Sequence, residues 1–154
     1  MARLEREITI AQPPERVFAF LAQPERTPEW SPNVQSVRLT SDGPIGVGAT
    51  TETVVKALGT TQRAVGRCTA FDPPRRLVIE SQTNLGATTV NETLLLAEGA
   101  GTRLRAKLDY TLPGGALGGG FLGGFLGVDK QIQKDFTQSL ARLKAILEAG
   151  ADAR

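Results

Sequence analysis

With 154 residues, 40% of them hydrophobic and 22% charged, the chain is sized for one domain with a substantial core and is unlike a disordered or collagenous polymer. Eighteen basic residues face sixteen acidic ones (net charge +2), dispersed without a Lys/Arg cluster, so no nucleic-acid footprint is present. A single cysteine, Cys68, excludes an internal disulfide framework and a multi-thiolate metal site. The absence of histidine removes the usual acid–base group near neutral pH and the commonest metal ligand.

The N-terminal stretch "MARLEREITI" is charged and alternates, with Leu4, Ile8 and Ile10 on one parity and Arg6 the odd member among them. It predicts a strand over 3–10 rather than a signal peptide, so a bacterial-type cytoplasm is the expected location. In "AQPPERVFAFLAQPERTPEW", Pro13 and Pro14 suit a helix start, and Val17, Phe18 and Leu21 share one helical face. Pro24 ends that helix and opens a second short one reaching Trp30. Strand patterns then fall near 33–40, 48–57 and 61–71, divided by Asp42-Gly43-Pro44 and by Gly59. "RRLVIESQTN" and "ATTVNETLLLAE" supply two more strands. "RLRAKLDYTL" alternates most cleanly: Leu104, Ala106, Leu108 and Tyr110 face one way, their Arg, Lys and Asp neighbours the other.

From Phe121 the period changes. Phe121, Phe125, Val128, Ile132, Phe136, Leu140, Leu143 and Leu147 step by three or four, with Lys130, Lys134 and Lys144 opposite, and Gly150 ends the pattern. A helix from about 120 to 148 is therefore predicted. Just before and within its start lies "LPGGALGGGFLGGFLGV", uncharged, with eight glycines in seventeen residues. A membrane span needs roughly 20 predominantly apolar residues, so this run is too short and too glycine-rich for one. Three readings stay open. Interior glycines each cost roughly 0.5–1 kcal/mol in a helix, so the segment is a mobile lid over a cavity or a tolerated, poor helix start. The third is a surface for self-association or membrane contact through Leu122 and Leu126.

The element order is strand, two short helices, six strands and a long amphipathic helix. An antiparallel sheet with one covered face needs something laid across it, and only the last helix is long enough. Where sheet and helix diverge, near the short helices, a cavity is expected.

The order and spacing of "ITIAQPPERVFAFLAQPERTPEWSPNV", "FDPPRRLVIES", "GAGTRLRAKLDYTLPGG" and "SLARLKAILE" are similar to those of the START/birch-allergen-like (SRPBCC) superfamily, closest to its polyketide cyclase/dehydrase-like branch. The resemblance covers essentially the whole chain. It implies an α+β helix-grip fold: a curved antiparallel seven-stranded sheet wrapped around a long C-terminal helix, with a hydrophobic cavity between them. Residues 1–150 are then one START-like ligand-binding domain and 151–154 a polar tail. The resemblance does not imply one activity, since members include ligand carriers, aromatase/cyclases and hydrolases, and it transfers no catalytic residue.

The candidate cavity residues are Trp30, Tyr110, Phe121, Phe125, Val128 and Ile132. Asn91 and Thr93 share one face of their strand, although the sequence does not say which face. Each has a plainer reading: Trp30 as a core plug, Tyr110 bonded within the protein, Asn91 and Thr93 as surface or ladder residues. Asp129 and Asp135 flank the helical stripe, and Arg67 and Glu80 turn inward only if a bulge shifts their parity. Cys68 reads as a small buried side chain. Without histidine and with few inward polar groups, burial of a small lipid-like, polyketide-like or aromatic molecule is favoured over chemistry, with no metal or cofactor. A cyclase, dehydrase or hydrolase using Tyr110 or an inward carboxylate is the second reading. An accessory subunit docking a protein partner, with homodimerisation left open, is the third.

Overall fold

The computed structural model describes residues 2–57, 59–112 and 122–150, with the backbone alone for residue 57 and for 122–128. Strand β1 (Ala2–Ile10) is followed by helix α1 (Pro14–Leu21), a 3-10 turn (Pro24–Arg26) and helix α2 (Thr27–Trp30). Strands β2 (Val34–Leu39), β3 (Thr50–Ala57), β4 (Thr60–Asp72), β5 (Arg76–Thr83), β6 (Thr88–Glu98) and β7 (Gly101–Thr111) come next. Helix α3 (Leu122–Glu148) completes the order. The expected helix-grip α+β architecture is present: seven antiparallel strands in one open sheet, ordered β1-β7-β6-β5-β4-β3-β2, with a long C-terminal helix.

Local chemistry accounts for the punctuation. Pro14 occupies the first turn of α1, where its missing N–H breaks no helical bond. Pro24 opens the 3-10 turn, which runs directly into α2 and turns the second short helix of the sequence reading into a composite one. Gly150, with φ 74°, follows the end of α3, and its N–H reaches Leu147 O at 3.3 Å.

Residues directly opposed on neighbouring strands share a face of the sheet. Leu104, Ala106, Leu95, Leu77 and Cys68 cluster with Leu140, Leu143 and Leu147 of α3 and with Val17, Phe18 and Phe20 of α1, which defines the inner face. The alternation of β7 falls as its pattern demands. Leu104, Ala106 and Tyr110 are buried, Arg105 is exposed, and Lys107 is half-covered by carboxylates. On the outer face a charge row crosses four strands: Glu5 to Lys107 at 3.7 Å, Lys107 to Glu92 at 3.8 Å, and Glu92 to Arg76 at 2.7 Å. Arg67 and Glu80 oppose each other on this outer face. A bulge does occur in β4, between Cys68 and Ala70, but it lies beyond Arg67 and leaves that residue's parity unchanged.

The end of α3 is pinned beside β1 and α1. Glu148 accepts the Ala11 N–H at 2.9 Å, and Gln12 donates to Leu147 O at 2.9 Å. At α2, Arg142 donates to Glu29 O at 2.9 Å, and Ser139 meets Ser31 at 3.3 Å. The core is thus closed at the end carrying α1 and the last turns of α3.

Candidate functional site

Register divides the inner face into rows running across the sheet. Beyond the core rows through Leu104 and Ala106, the next holds Leu4, Leu108, Asn91, Ile79 and Cys68. It settles the orientation of the β6 candidates: Asn91 opposes Leu108 and Thr93 opposes Ala106, so both belong to the inner face. Asn91 is nevertheless exposed, and Leu108, Ile79 and Thr93 are only half-buried. Side chains directed between sheet and helix stay accessible here, whereas Leu104 and Leu143 are sealed at the other end.

The next row crosses all seven strands: Ala2, Tyr110, Thr89, Ser81, Gly66, Thr51 and Leu39. It is rich in hydroxyls and contains no charge. Tyr110 is 4% exposed, and its Oη has no hydrogen-bond partner. Most buried polar atoms are bonded, so an orphaned phenol marks a place where a partner belongs. At Gly66 a Cβ would lie 2.6 Å from Thr51 Oγ1 and 2.9 Å from Ser81 Oγ, so the two hydroxyls converge over the bare backbone.

Trp30 ends α2, half-buried, and packs with Phe136 against the core cluster. Ile132 is half-buried on α3. The candidates Phe121, Phe125 and Val128 lie outside the residues whose side chains are described, as do Leu122 and Leu126. The lid reading of the glycine-rich segment lies outside them as well.

Among the titratable candidates, Asp129 Oδ2 accepts from Gln133 at 3.4 Å, while its Oδ1 is buried without a partner. Asp135 accepts from Gln131 at 2.8 Å. Cys68 is buried, its thiol donates to Ala70 O at 3.4 Å, and desolvation pushes its pKa up, away from a reactive thiolate. No three potential metal ligands cluster among the described residues. A groove of about 510 Å³ runs between β1 and α3, lined by Arg6, Lys130, Gln133, Lys134 and Thr137. It lies at the sheet edge, where Arg6 Nε donates to Thr137 at 3.2 Å.

The sequence matches the family described as polyketide cyclase/dehydrase and lipid transport over residues 1–148. The chain belongs to that family. No curated relative matches it. Among solved structures, TTHA0849 from Thermus thermophilus is 23% identical, with a TM-score of 0.77, over 98% of this chain and 100% of that one. Ara h 8.0201 is 16% identical, with a TM-score of 0.68, over 96% of this chain and 98% of that one. The di-domain ARO/CYC BexL of the BE-7585A biosynthetic pathway is 20% identical, with a TM-score of 0.71; the match covers 96% of this chain and 47% of BexL. At such identities the likeness shows the shared fold. Family membership rests on the sequence match, the solved structures add the shared fold, and the chemistry has to be argued from this chain's own inner face. Among the described residues no helix is long and apolar enough to cross a membrane.

Sequence reasoning singled out Tyr110 but missed Thr89, Ser81, Gly66 and Thr51. Ser81 and Gly66 sit in phase with apolar residues of their own strands, Leu77 and Ile79 or Ala64 and Cys68, a signal present in the alternation; Thr89 does not, because Val90, Leu94 and Leu96 hold the other parity of β6. Their union into one row depends on register between strands, which no single strand pattern contains.

Proposed function

We propose that the protein binds a small hydrophobic molecule between the inner face of the sheet and α3. The observation that carries this reading is the uneven filling of the inner face. Leu104, Leu95 and Leu143 are closed off, while Asn91, Leu108, Ile79 and Ile132, directed toward the same interior or carried on its helix, remain partly accessible. Interiors of folded proteins pack to crystal-like density, so accessible side chains facing inward point to room for a guest. Membership of the polyketide cyclase/dehydrase and lipid transport family supports the same reading. In this proposal Trp30, Tyr110, Asn91, Thr93 and Ile132 contribute to the walls, together with Phe121, Phe125 and Val128, and the role is carriage or sequestration in the cytoplasm.

Titration with biphenyl, followed by quenching of Trp30 fluorescence and by calorimetry, tests the reading. Saturable, displaceable binding is expected. Absence of both signals with a folded protein overturns it.

The unpartnered Asp129 Oδ1 favours one second reading, an enzyme of the cyclase or dehydrase type in which a carboxylate and the Tyr110 phenol handle protons. Turnover of an enolisable aromatic ketone that disappears in Asp129→Asn, with ligand binding retained, would select it over carriage.

A further inference from the structure

The hydroxyl row says what kind of molecule the interior accepts. We infer that Tyr110, with Thr51 and Ser81 converging over Gly66, forms a two-point subsite for an uncharged ring compound bearing oxygen at both ends. This rests on the ligand-binding reading above and specifies its ligand class.

The first anchor is the gap at Gly66. The position of its absent Cβ lies 2.6 Å from Thr51 Oγ1 and 2.9 Å from Ser81 Oγ, so both oxygens flank one point above the backbone. A single ligand oxygen placed over that point can accept from both hydroxyls or donate to one of them. Alanine there would push both hydroxyls aside, so the bare Gly66 backbone is what lets them lean in from the two neighbouring strands.

The second anchor is Tyr110 Oη, buried and without a partner. Tyr110 stands on β7, Ser81 on β5 and Gly66 on β4, so the Ser81 hydroxyl is two strand spacings from Tyr110 and the point over Gly66 is three. Two to three strand spacings amount to about 10–14 Å. That span suits two or three linked or fused rings with an oxygen at either end.

The charge of the ligand follows from what the row lacks. Ala2, Tyr110, Thr89, Ser81, Gly66, Thr51 and Leu39 include no cation to neutralise a carboxylate or phosphate. The cations Arg6, Lys130 and Lys134 gather instead at the groove beside β1, where Arg6 opposes Ala106, two rows away from the hydroxyls. An anion on the hydroxyl row would be desolvated without a counter-charge, which is strongly unfavourable. Neutral phenol, alcohol or carbonyl oxygens match the row. Purely aliphatic chains leave the Tyr110 hydroxyl unsatisfied.

Calorimetry at pH 7 with 4,4′-dihydroxybiphenyl, biphenyl and biphenyl-4-carboxylate tests the inference on the parent protein and on Tyr110→Phe and Ser81→Ala, each checked for folding by circular dichroism. A merely apolar cavity prefers biphenyl, because the dihydroxy compound loses more hydration. The hydroxyl row reverses that order, with the dihydroxy probe tighter by about 25-fold, two hydrogen bonds at roughly fivefold each. Each substitution should cut this preference by about 3- to 10-fold. Biphenyl binding as well as or better than the dihydroxy compound, or a preference untouched by both substitutions, overturns the subsite and leaves the cavity reading standing. Tightest binding by the carboxylate overturns the uncharged class. If none of the three probes binds, the cavity reading fails, and the subsite with it.

Discussion

Tyr110 Oη is a buried donor without an acceptor, and that state has a sign in stability as well as in binding. An unsatisfied buried hydroxyl costs about 1–3 kcal/mol of desolvation that no bond returns. Tyr110→Phe should therefore raise the unfolding free energy of the ligand-free protein, by about 1 kcal/mol, in urea denaturation. A loss of stability would mean that the hydroxyl is satisfied in solution. Gly66→Ala should act oppositely. Its new methyl would meet the β-branched Thr51 at 2.6 Å, so a loss of about 1–3 kcal/mol is expected. Gly101→Ala meets a harder obstacle, the Ile10 carbonyl at 2.6 Å, because backbone cannot rotate away as a side chain can. It should be the more damaging of the two, as judged by thermal unfolding.

At the scale of elements, the clasp between α3 and the β1–α1 junction carries a pH dependence. Glu148 is bonded by Lys144 and by the Ala11 N–H, and these partners hold its pKa below the ordinary value of 4.5. A depressed carboxylate contributes stability that is present above the ordinary value and is lost as pH falls through the lower, folded one. Glu148→Gln should consequently be somewhat less stable than the parent at pH 7. The difference should vanish as the pH drops below 4.5 toward complete protonation. Urea midpoints of both proteins from pH 7 to pH 3 check this, and parallel curves would show the clasp to be idle. The same region also guards an edge. Strand β1 is terminal in the sheet, and its Glu5 and Thr9 carbonyls accept from Arg6 and Lys144. Unpaired edge groups invite pairing with another chain. Replacing both cations with alanine should increase self-association, measured by light scattering against the parent at equal concentration.

For the whole molecule, the closed core and the accessible end of the interior should respond independently. Leu104 is 0% exposed and lies among the α1 and α3 contacts. Leu104→Ala should cost about 2–5 kcal/mol. Tyr110 stands six residues further along the same strand, roughly 20 Å away at the usual strand rise, where substitutions generally act additively. Leu104→Ala should thus lower the unfolding midpoint without changing the affinity for 4,4′-dihydroxybiphenyl, whereas Tyr110→Phe should weaken that affinity without lowering the midpoint. Saturating ligand should raise the melting temperature of both, because a ligand that binds only the folded state shifts the equilibrium by mass action. A Leu104→Ala variant that loses affinity in step with stability would show one cooperative body rather than a core with a separable site.

The amino-acid sequence by itself determined the element order, because periods of two and of 3.6 residues are local signals that survive without neighbours. The seven strands, the short helices opened by Pro14 and Pro24, and the long helix ending before Gly150 were all legible in this way. The buried phase of β7 was legible too, since Leu104, Ala106 and Tyr110 alternate with charges that need water. What only the tertiary structure decided is which residues meet across strands. Asn91 and Thr93 acquired a face through pairing with Leu108 and Ala106, and Arg67 kept its outward parity because the β4 bulge comes after it. Tyr110, Ser81, Gly66 and Thr51 come from four different strands and joined one row through four separate registers. Register is set by the packing of the whole sheet against α1 and α3, a long-range balance that no local pattern encodes.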